Sequence, residues 1–226
     1  MQLLDCLHSQ IITAFEKRPH EFFTEHDIHT QLALVASKLL EEEGNLYGRT
    51  LDGFVVGRVH HEYPTPFRCI MKNSEFRLVT EDQFLQEKQK NPKFRARRGF
   101  LDFAIINSEY ISSNKLNVVS GKRYRELVKS LKNRRHVALD LAVEVVYYPT
   151  FDERLHDGIM NKRVSSIVQD YQKLVAVMEF MPDNVPFCRK AAMMFFSNTT
   201  HKDVLKEKLR SLPKHEKVTF YSVFSE

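Results

Sequence analysis

Two apolar runs, each carrying one carboxylate, restrict this chain more than any other feature. RRGFLDFAII covers Arg97–Ile106 and holds Asp102, and LAVEVVYY covers residues 141–148 and holds Glu144. Both read as buried strands. A carboxylate among such neighbours is costly to bury unless another group answers its charge. One acid of this kind carries little information. Two, in consecutive strand segments, point to a shared site if the strands are neighbours.

The rest of the chain supplies elements around those strands. Residues 26–44 place Ile28, Leu32, Val35, Leu39 and Leu40 at helical spacing. Thr24 is the expected N-cap, with Asp27 three residues on, and Gly44 the expected stop. RVHHEYPTPFRCIM reads as extended, broken or edged by Pro64 and Pro66. Residues 81–95 read as a polar helix or loop, and residues 120–135 as a helix. VALDLAVEVVYYP is a strand, VSSIVQDYQKLVAVMEFM a helix, KAAMMFFSN a strand, HKDVLKEKLRSL a helix and KVTFYSVF a last strand. Residues 1–23 are expected to be an arm or an extra helix that packs on a partner. The whole is expected to be one α/β domain over residues 1–226, a central mixed sheet flanked by helices. Its core would run from about 25 to 197, with a basic helical insertion at about 108–136 and a C-terminal helix and strand at 201–224.

Composition excludes several classes. Cys6, Cys69 and Cys188 show no C-x-x-C spacing, which speaks against a cysteine zinc site or a disulfide framework. There is no G-x-x-x-x-G-K phosphate loop. No secretory leader and no apolar stretch of membrane-spanning length is visible, so the expected location is cytoplasmic, with no membrane partner. The net charge of +5 is compatible with nucleic-acid binding without requiring it.

Adjacent strands would bring Asp102 and Glu144 to one face. Two close carboxylates repel, and a divalent cation relieves both the repulsion and the burial cost. Mg2+, or Mn2+, takes one or two carboxylates together with waters and phosphate oxygens, and activates a water for attack on a phosphodiester. For Asp102 alone, an ion pair with Arg97 or Arg98 is the structural alternative.

With GFLDFAII and AVEVVYY in this element order, the chain resembles the PD-(D/E)XK nuclease superfamily, the restriction-endonuclease-like fold. The resemblance spans residues 25–197. It implies a helix–strand–strand–strand–helix–strand core and a deoxyribonuclease active with Mg2+ or Mn2+. It also implies that Asp102 and Glu144 are catalytic metal ligands, and that the Val145 carbonyl is a third ligand. The family's E-x-K lysine should stand at position 146, on the same strand face as Glu144, and that residue is Val146. Lys173, in QDYQKL on the next helix, is the candidate replacement, with Gln169 and Gln172 as weaker neighbours. Its alternative is a solvated helix charge. If Val146 instead marks an inactive site, the protein would bind nucleic acid or a partner protein without cutting. Glu25 matches an additional metal-site glutamate of some members, or is simply a favourable charge at a helix N-terminus. Glu62 is a further acidic candidate beside Asp102, and in HHE strand alternation would let only His60 converge with it.

Two basic clusters flank the Asp102 strand. KQKNPKFRARR carries six positive charges and no acid, including Arg95, Arg97 and Arg98. KRYRELVKSLKNRR carries seven against Glu126, including Lys122, Arg123, Arg125, Arg134 and Arg135. Such clusters bind phosphates by counterion release, or are ordinary solvated faces. Phe94 and Tyr124 within them are candidates for base stacking or for the core. The expected partner is DNA, and a homodimer would match the symmetry of a duplex.

Overall fold

The structure is a computed structural model that describes residues 3–22, 24–72, 75–132, 135–148, 157–198, 202–210 and 214–225. Two helices, α1 (Leu3–Lys17) and α2 (Glu25–Glu42), precede a small ribbon of β1 (Tyr47–Arg49) and β2 (Val55–Gly57). Then come β3 (Val59–Lys72), β4 (Glu75–Thr80), α3 (Glu81–Lys90) and β5 (Arg97–Ile106). Three short helices follow: α4 (Ser108–Ser112), α5 (Leu116–Val119) and α6 (Tyr124–Lys132). The chain closes with β6 (Leu139–Tyr148), α7 (Asp157–Glu179), β7 (Ala191–Ser197), α8 (Lys202–Arg210) and β8 (Val218–Phe224).

Six strands form one mixed sheet in the order β4-β3-β5-β6-β7-β8. The first three neighbouring pairs are antiparallel. The pairs β6–β7 and β7–β8 are parallel, each joined through a helix. Parallel neighbours require such a crossover, and the helices cover the sheet faces as a result. The chain is therefore α/β, with a mixed six-stranded sheet flanked by helices. No helix among the described residues is long and apolar enough to cross a membrane.

The core falls in two parts, one on each face of the sheet, with an irregularity in the β5–β6 register between Ile105 and Ile106. Phe103, Ile105, Leu141, Val143, Val145 and Tyr147 face α1 and α2, where they meet Leu7, Ile11, Phe15, Ile28 and Leu32. Leu101, Ala104, Leu139, Ala142 and Tyr148 face the other way, toward Leu127, Leu131, Ile167, Tyr171 and Leu174 of α6 and α7. With both faces covered, the central strands have no solvated side, so their sequences read as apolar runs rather than alternating ones.

The cap expected for α2 is present as a full box: the Thr24 amide donates to Asp27 Oδ2 at 2.7 Å, and the Asp27 amide donates to Thr24 Oγ1 at 3.3 Å. Ile28, Leu32, Ala36 and Leu40 form the buried stripe, while Val35 and Leu39 are half-buried. Gly44, at φ +65°, turns the chain out of the helix.

Residues 3–17 are not an arm but an extra helix: α1 buries Leu4, Leu7, Ile11 and Phe15 against this chain's own sheet. Pro64 and Pro66 interrupt the ladder of β3 without ending the strand. The register with β5 shifts between Pro64 and Arg68, so an irregularity takes up the missing amides, and Thr65 Oγ1 donates to the Gly99 carbonyl at 3.2 Å. A Cβ at position 99 would lie 2.6 Å from that hydroxyl, so glycine is required there. Finally, β4 and the β1–β2 ribbon were not expected at all. The insertion between β5 and β6 is three short helices rather than one.

Candidate active site at a fork in the sheet

Strands β5 and β6 pair through Ile106↔Leu139, Ile105↔Leu141, Ala104↔Ala142 and Phe103↔Val143, and there the ladder stops. Asp102 and Glu144 are the next residues on each strand. Beyond this point the strands part, and side chains occupy the gap. The Val145 amide donates to Asp102 Oδ2 at 2.8 Å, and the Tyr147 amide donates to Glu25 Oε2 at 3.3 Å. In a strand, N–H and C=O of one residue point to the same edge, so the Val145 carbonyl also faces the fork. The bond from Val145, rather than an ion pair with Arg97 or Arg98, is what holds Asp102.

On the α7 side, Glu144 is fully buried in β6 and meets Lys173. Lys173 Nζ lies 2.8 Å from Glu144 Oε1 and 3.3 Å from Asp170 Oδ1, and the residue is only 8% exposed. It is therefore a buried cation and not a solvated helix charge. The approach to Oε1 is an ion pair off hydrogen-bond alignment, and neither Glu144 oxygen has a hydrogen-bond partner among the described residues. Val146 occupies the E-x-K position, half-buried against the same core as α7. An apolar residue there lets the helix pack closely, and the helix brings the ammonium itself. Gln172 is exposed, and Gln169 donates to Ser165 Oγ at the helix surface, so neither joins the site.

Electrostatics follow from composition: Asp102, Glu144 and Asp170 surround one lysine. Burial, and then the charge of Asp102, push the Glu144 carboxyl well above its usual range. Burial raises Asp170 as well, against the opposing pull of Lys173. Burial alone would lower the Lys173 ammonium, but Glu144 and Asp170 outweigh it, and its pKa ends above the ordinary lysine value. All three shifts express one fact, an excess of negative charge in a low-dielectric pocket. Such a pocket takes up a proton or a cation. The hard oxygen donors of Asp102 and of Glu144, whose Oε1 has the Lys173 ammonium at 2.8 Å, are of the kind a divalent ion takes.

On the α2 side the structure brings Glu25, a candidate from sequence, together with His29, which sequence reasoning did not single out. His29 Nε2 lies 4.0 Å from Asp102 Oδ2, and donor atoms of Glu25, His29 and Asp102 all fall within 4.8 Å of one another. The rings of His26 and His61 are 6.2 and 6.1 Å from that of His29. Burial lowers the pKa of His29, outweighing the opposite pull of Asp102, so the imidazole is held neutral. The available signal was E-x-x-x-H, which puts Glu25 and His29 on one helix face. Asp170 was likewise legible as D-x-x-K.

Glu62 lies on β3 between the pairs His61↔Phe103 and Tyr63↔Leu101, across from Asp102. Its φ of +49° breaks the alternation on which the convergence of His60 with Glu62 depended. His60 instead bonds the Gly57 carbonyl at 2.9 Å, and it is His61 that joins the α2 histidines.

The two basic clusters meet at Tyr124, whose ring carries Arg98 at 4.8 Å and Arg68 at 5.2 Å. Tyr124 is buried and donates to the Phe67 carbonyl, and Phe94 packs on Phe84, so both aromatics belong to packing. Arg95, Arg97, Arg98, Lys122, Arg123, Arg125 and Arg135 are exposed. Arg123 pairs with Glu126 at 2.9 Å, and Arg125 reaches Glu81 at 3.8 Å. Arg134 lies outside the described residues. Comparisons with protein-family models, with curated proteins and with solved structures give no match.

Proposed function

We propose that the chain is a metal-dependent nuclease that hydrolyses phosphodiester bonds of DNA, built on a restriction-endonuclease-like core of α2, β3, β5, β6, α7 and β7. One observation carries the reading: α7 delivers a buried ammonium, 2.8 Å from Glu144, to the strand fork that holds Asp102. The position where the E-x-K spacing lacks a lysine is thus served from a neighbouring helix.

Asp102, Glu144 and the Val145 carbonyl would hold Mg2+ or Mn2+. Bound there, the ion would supply an activated water and offset charge on the phosphate. The chain's own groups do the rest. The Val145 amide fixes the Asp102 carboxylate in the gap. Lys173, kept charged by Glu144 and Asp170, orients the attacking water and stabilises the anionic phosphate in flight. Exposed Arg97 and Arg98, at the open end of β5, attract the polyanion.

The test is cleavage of plasmid and of short duplex DNA with Mg2+ or Mn2+, by wild type, Asp102→Ala and Lys173→Met. Cleavage lost in both variants is expected. Full activity in Asp102→Ala would sink the assignment. Tight, salt-sensitive DNA binding by a wild type that never cuts would favour the non-catalytic reading.

A further inference from the structure

Strand β8 is one edge of the sheet, with β7 on one side and no strand on the other among the described residues. The Ser225 amide donates to the Ser197 carbonyl on β7 at 3.0 Å. Amide and carbonyl of one residue share an edge, and successive residues alternate. Thr219, Tyr221 and Val223 therefore bond toward β7, while Phe220, Ser222 and Phe224 turn their main-chain groups to the open edge. Edge strands are normally blunted by charge, proline or a bulge. The opposite edge, β4, carries Glu75 and Arg77. The β8 sequence, VTFYSVF, has no charge, no proline and no glycine, and its pairing with β7 is unbroken from Val218 to Phe224.

We propose that β8 is a strand-addition site whose open edge takes an extended acidic segment of a partner protein. A groove of about 610 Å³ follows that edge, lined by Ile12 and Glu16 of α1 and by Lys206, Arg210 and Lys214. Helix α8 sets Lys206 and Arg210 one turn apart, beside the buried Leu205 and Leu209. The Lys206 ammonium lies 4.9 Å from the centre of the Phe224 ring, at the edge itself. The acids of α8, Asp203 and Glu207, are exposed and do not line the groove.

Those charges select the occupant. An added strand bonds to the main chain of Phe220, Ser222 and Phe224, which gives affinity without reading sequence. Its side chains alternate between the sheet faces, so every second one meets the cations and the others meet Ile12 and Val223. Carboxylates in the first set complement Lys206, Arg210 and Lys214. A second copy, paired antiparallel through its own β8, would bring its Lys206 and Arg210 to the same sheet face across the twofold axis. Like charges so placed oppose that pairing. The site is independent of the nuclease reading, since β6 and β7 separate β8 from the strand of Asp102.

The probe is a fluorescent peptide of about eight residues in which Glu and Val alternate, with Lys in place of Glu as the control. The full chain should bind the Glu peptide about tenfold or more tightly than the Lys peptide. At saturation, hydrogen exchange read by NMR should slow about tenfold or more at the Phe220, Ser222 and Phe224 amides, and stay unchanged at Thr219, Tyr221 and Val223. Ser222→Pro removes an outward amide and none that bonds β7, and should abolish binding. Lys206→Glu with Arg210→Glu keeps the edge intact and should reverse the preference between the peptides, which tests the proposal even if Ser222→Pro does not fold. Absence of binding to the Glu peptide up to about 1 mM overturns the proposal, as does equal binding of both peptides. Protection of other amides in place of those three overturns it too. A free chain that sediments as a dimer, and that Ser222→Pro makes monomeric, would give the edge to a second copy instead of an acidic partner. Displacement of the peptide by a short DNA duplex would give the groove to nucleic acid, with the same consequence.

Discussion

The Lys173 ammonium and the Glu144 carboxylate stand 2.8 Å apart on α7 and β6, both withdrawn from solvent. Removing the ammonium strands the carboxylates of Glu144 and Asp170, which costs about 3–5 kcal/mol, whereas Lys173 keeps Asp170 at 3.3 Å when Glu144 is made neutral. Lys173→Met should therefore destabilise the metal-free protein by about that amount. Glu144→Gln in the same chain should recover a large part, because the amide carries no charge to strand. Urea unfolding of wild type, both single variants and the double variant gives the coupling directly. Additive effects would mean the contact has no energetic weight.

Glu144 also predicts a pH dependence. Burial raises its folded pKa above the unfolded value. The stability contributed by the protonated form is thus complete below the unfolded pKa and is lost as pH rises through the folded one. Lys173 remains charged across that window, its own pKa being raised, so it adds no opposing slope there. Without metal, Glu144→Gln should match wild type below the ordinary carboxylate range and exceed it as pH rises above that range. Melting temperatures in chelator at several pH values test this. Saturating Mg2+ or Mn2+ should stabilise wild type most at the upper end, where the carboxylate is ionised. A difference that does not change with pH would place the titration elsewhere.

Much of this arrangement was legible in the sequence, for identifiable reasons. The runs around Asp102 and Glu144 announced strands because both faces of each are covered, and α2 announced itself through Thr24, Asp27 and its apolar stripe. Lys173 was legible by its absence from position 146. His29 was not, because a histidine beside Ile28 on an amphipathic helix resembles any half-buried polar residue. Only the gap between β5 and β6 gives it meaning. β4 was hidden because its six residues, Glu75–Thr80, are few, lie at a sheet edge and include the exposed Arg77. The role of Glu62 depended on a positive φ that no spacing encodes.

Arg58 ties together the end of the sheet opposite the fork. Its guanidinium donates to the Ile106 carbonyl at 2.8 Å, the Asn45 carbonyl at 2.9 Å and Asp140 Oδ2 at 2.5 Å, and the residue is 3% exposed. Arg58→Met leaves the half-buried Asp140 to Asn107 and Arg189 and takes a donor from each of two carbonyls, a loss of about 1–3 kcal/mol. Since the contact is remote from Asp102, folded Arg58→Met at low temperature should bind Mn2+ within about twofold of wild type. Calorimetry on that variant separates loss of fold from loss of site. Markedly weaker binding in a folded sample would show that the two ends of the sheet are coupled.

The basic surface gives the last prediction. Arg97 and Arg98 are both exposed, while Arg68, on the partner strand of the Arg68↔Arg98 pair, is bound to Glu81 on α3. Each arginine that neutralises a duplex phosphate contributes about 0.9 to the slope of log affinity against log salt. Replacing Arg97 and Arg98 together by Ala should reduce that slope by about 2 and leave Mn2+ binding at the fork unchanged. Arg68→Ala should instead cost stability, by freeing the buried Glu81, with little change in slope. Fluorescence anisotropy of a labelled duplex between about 50 and 200 mM salt resolves the difference. An unchanged slope in the double variant would move the DNA path away from the open end of β5, toward α6 and its exposed Lys122, Arg123 and Arg125.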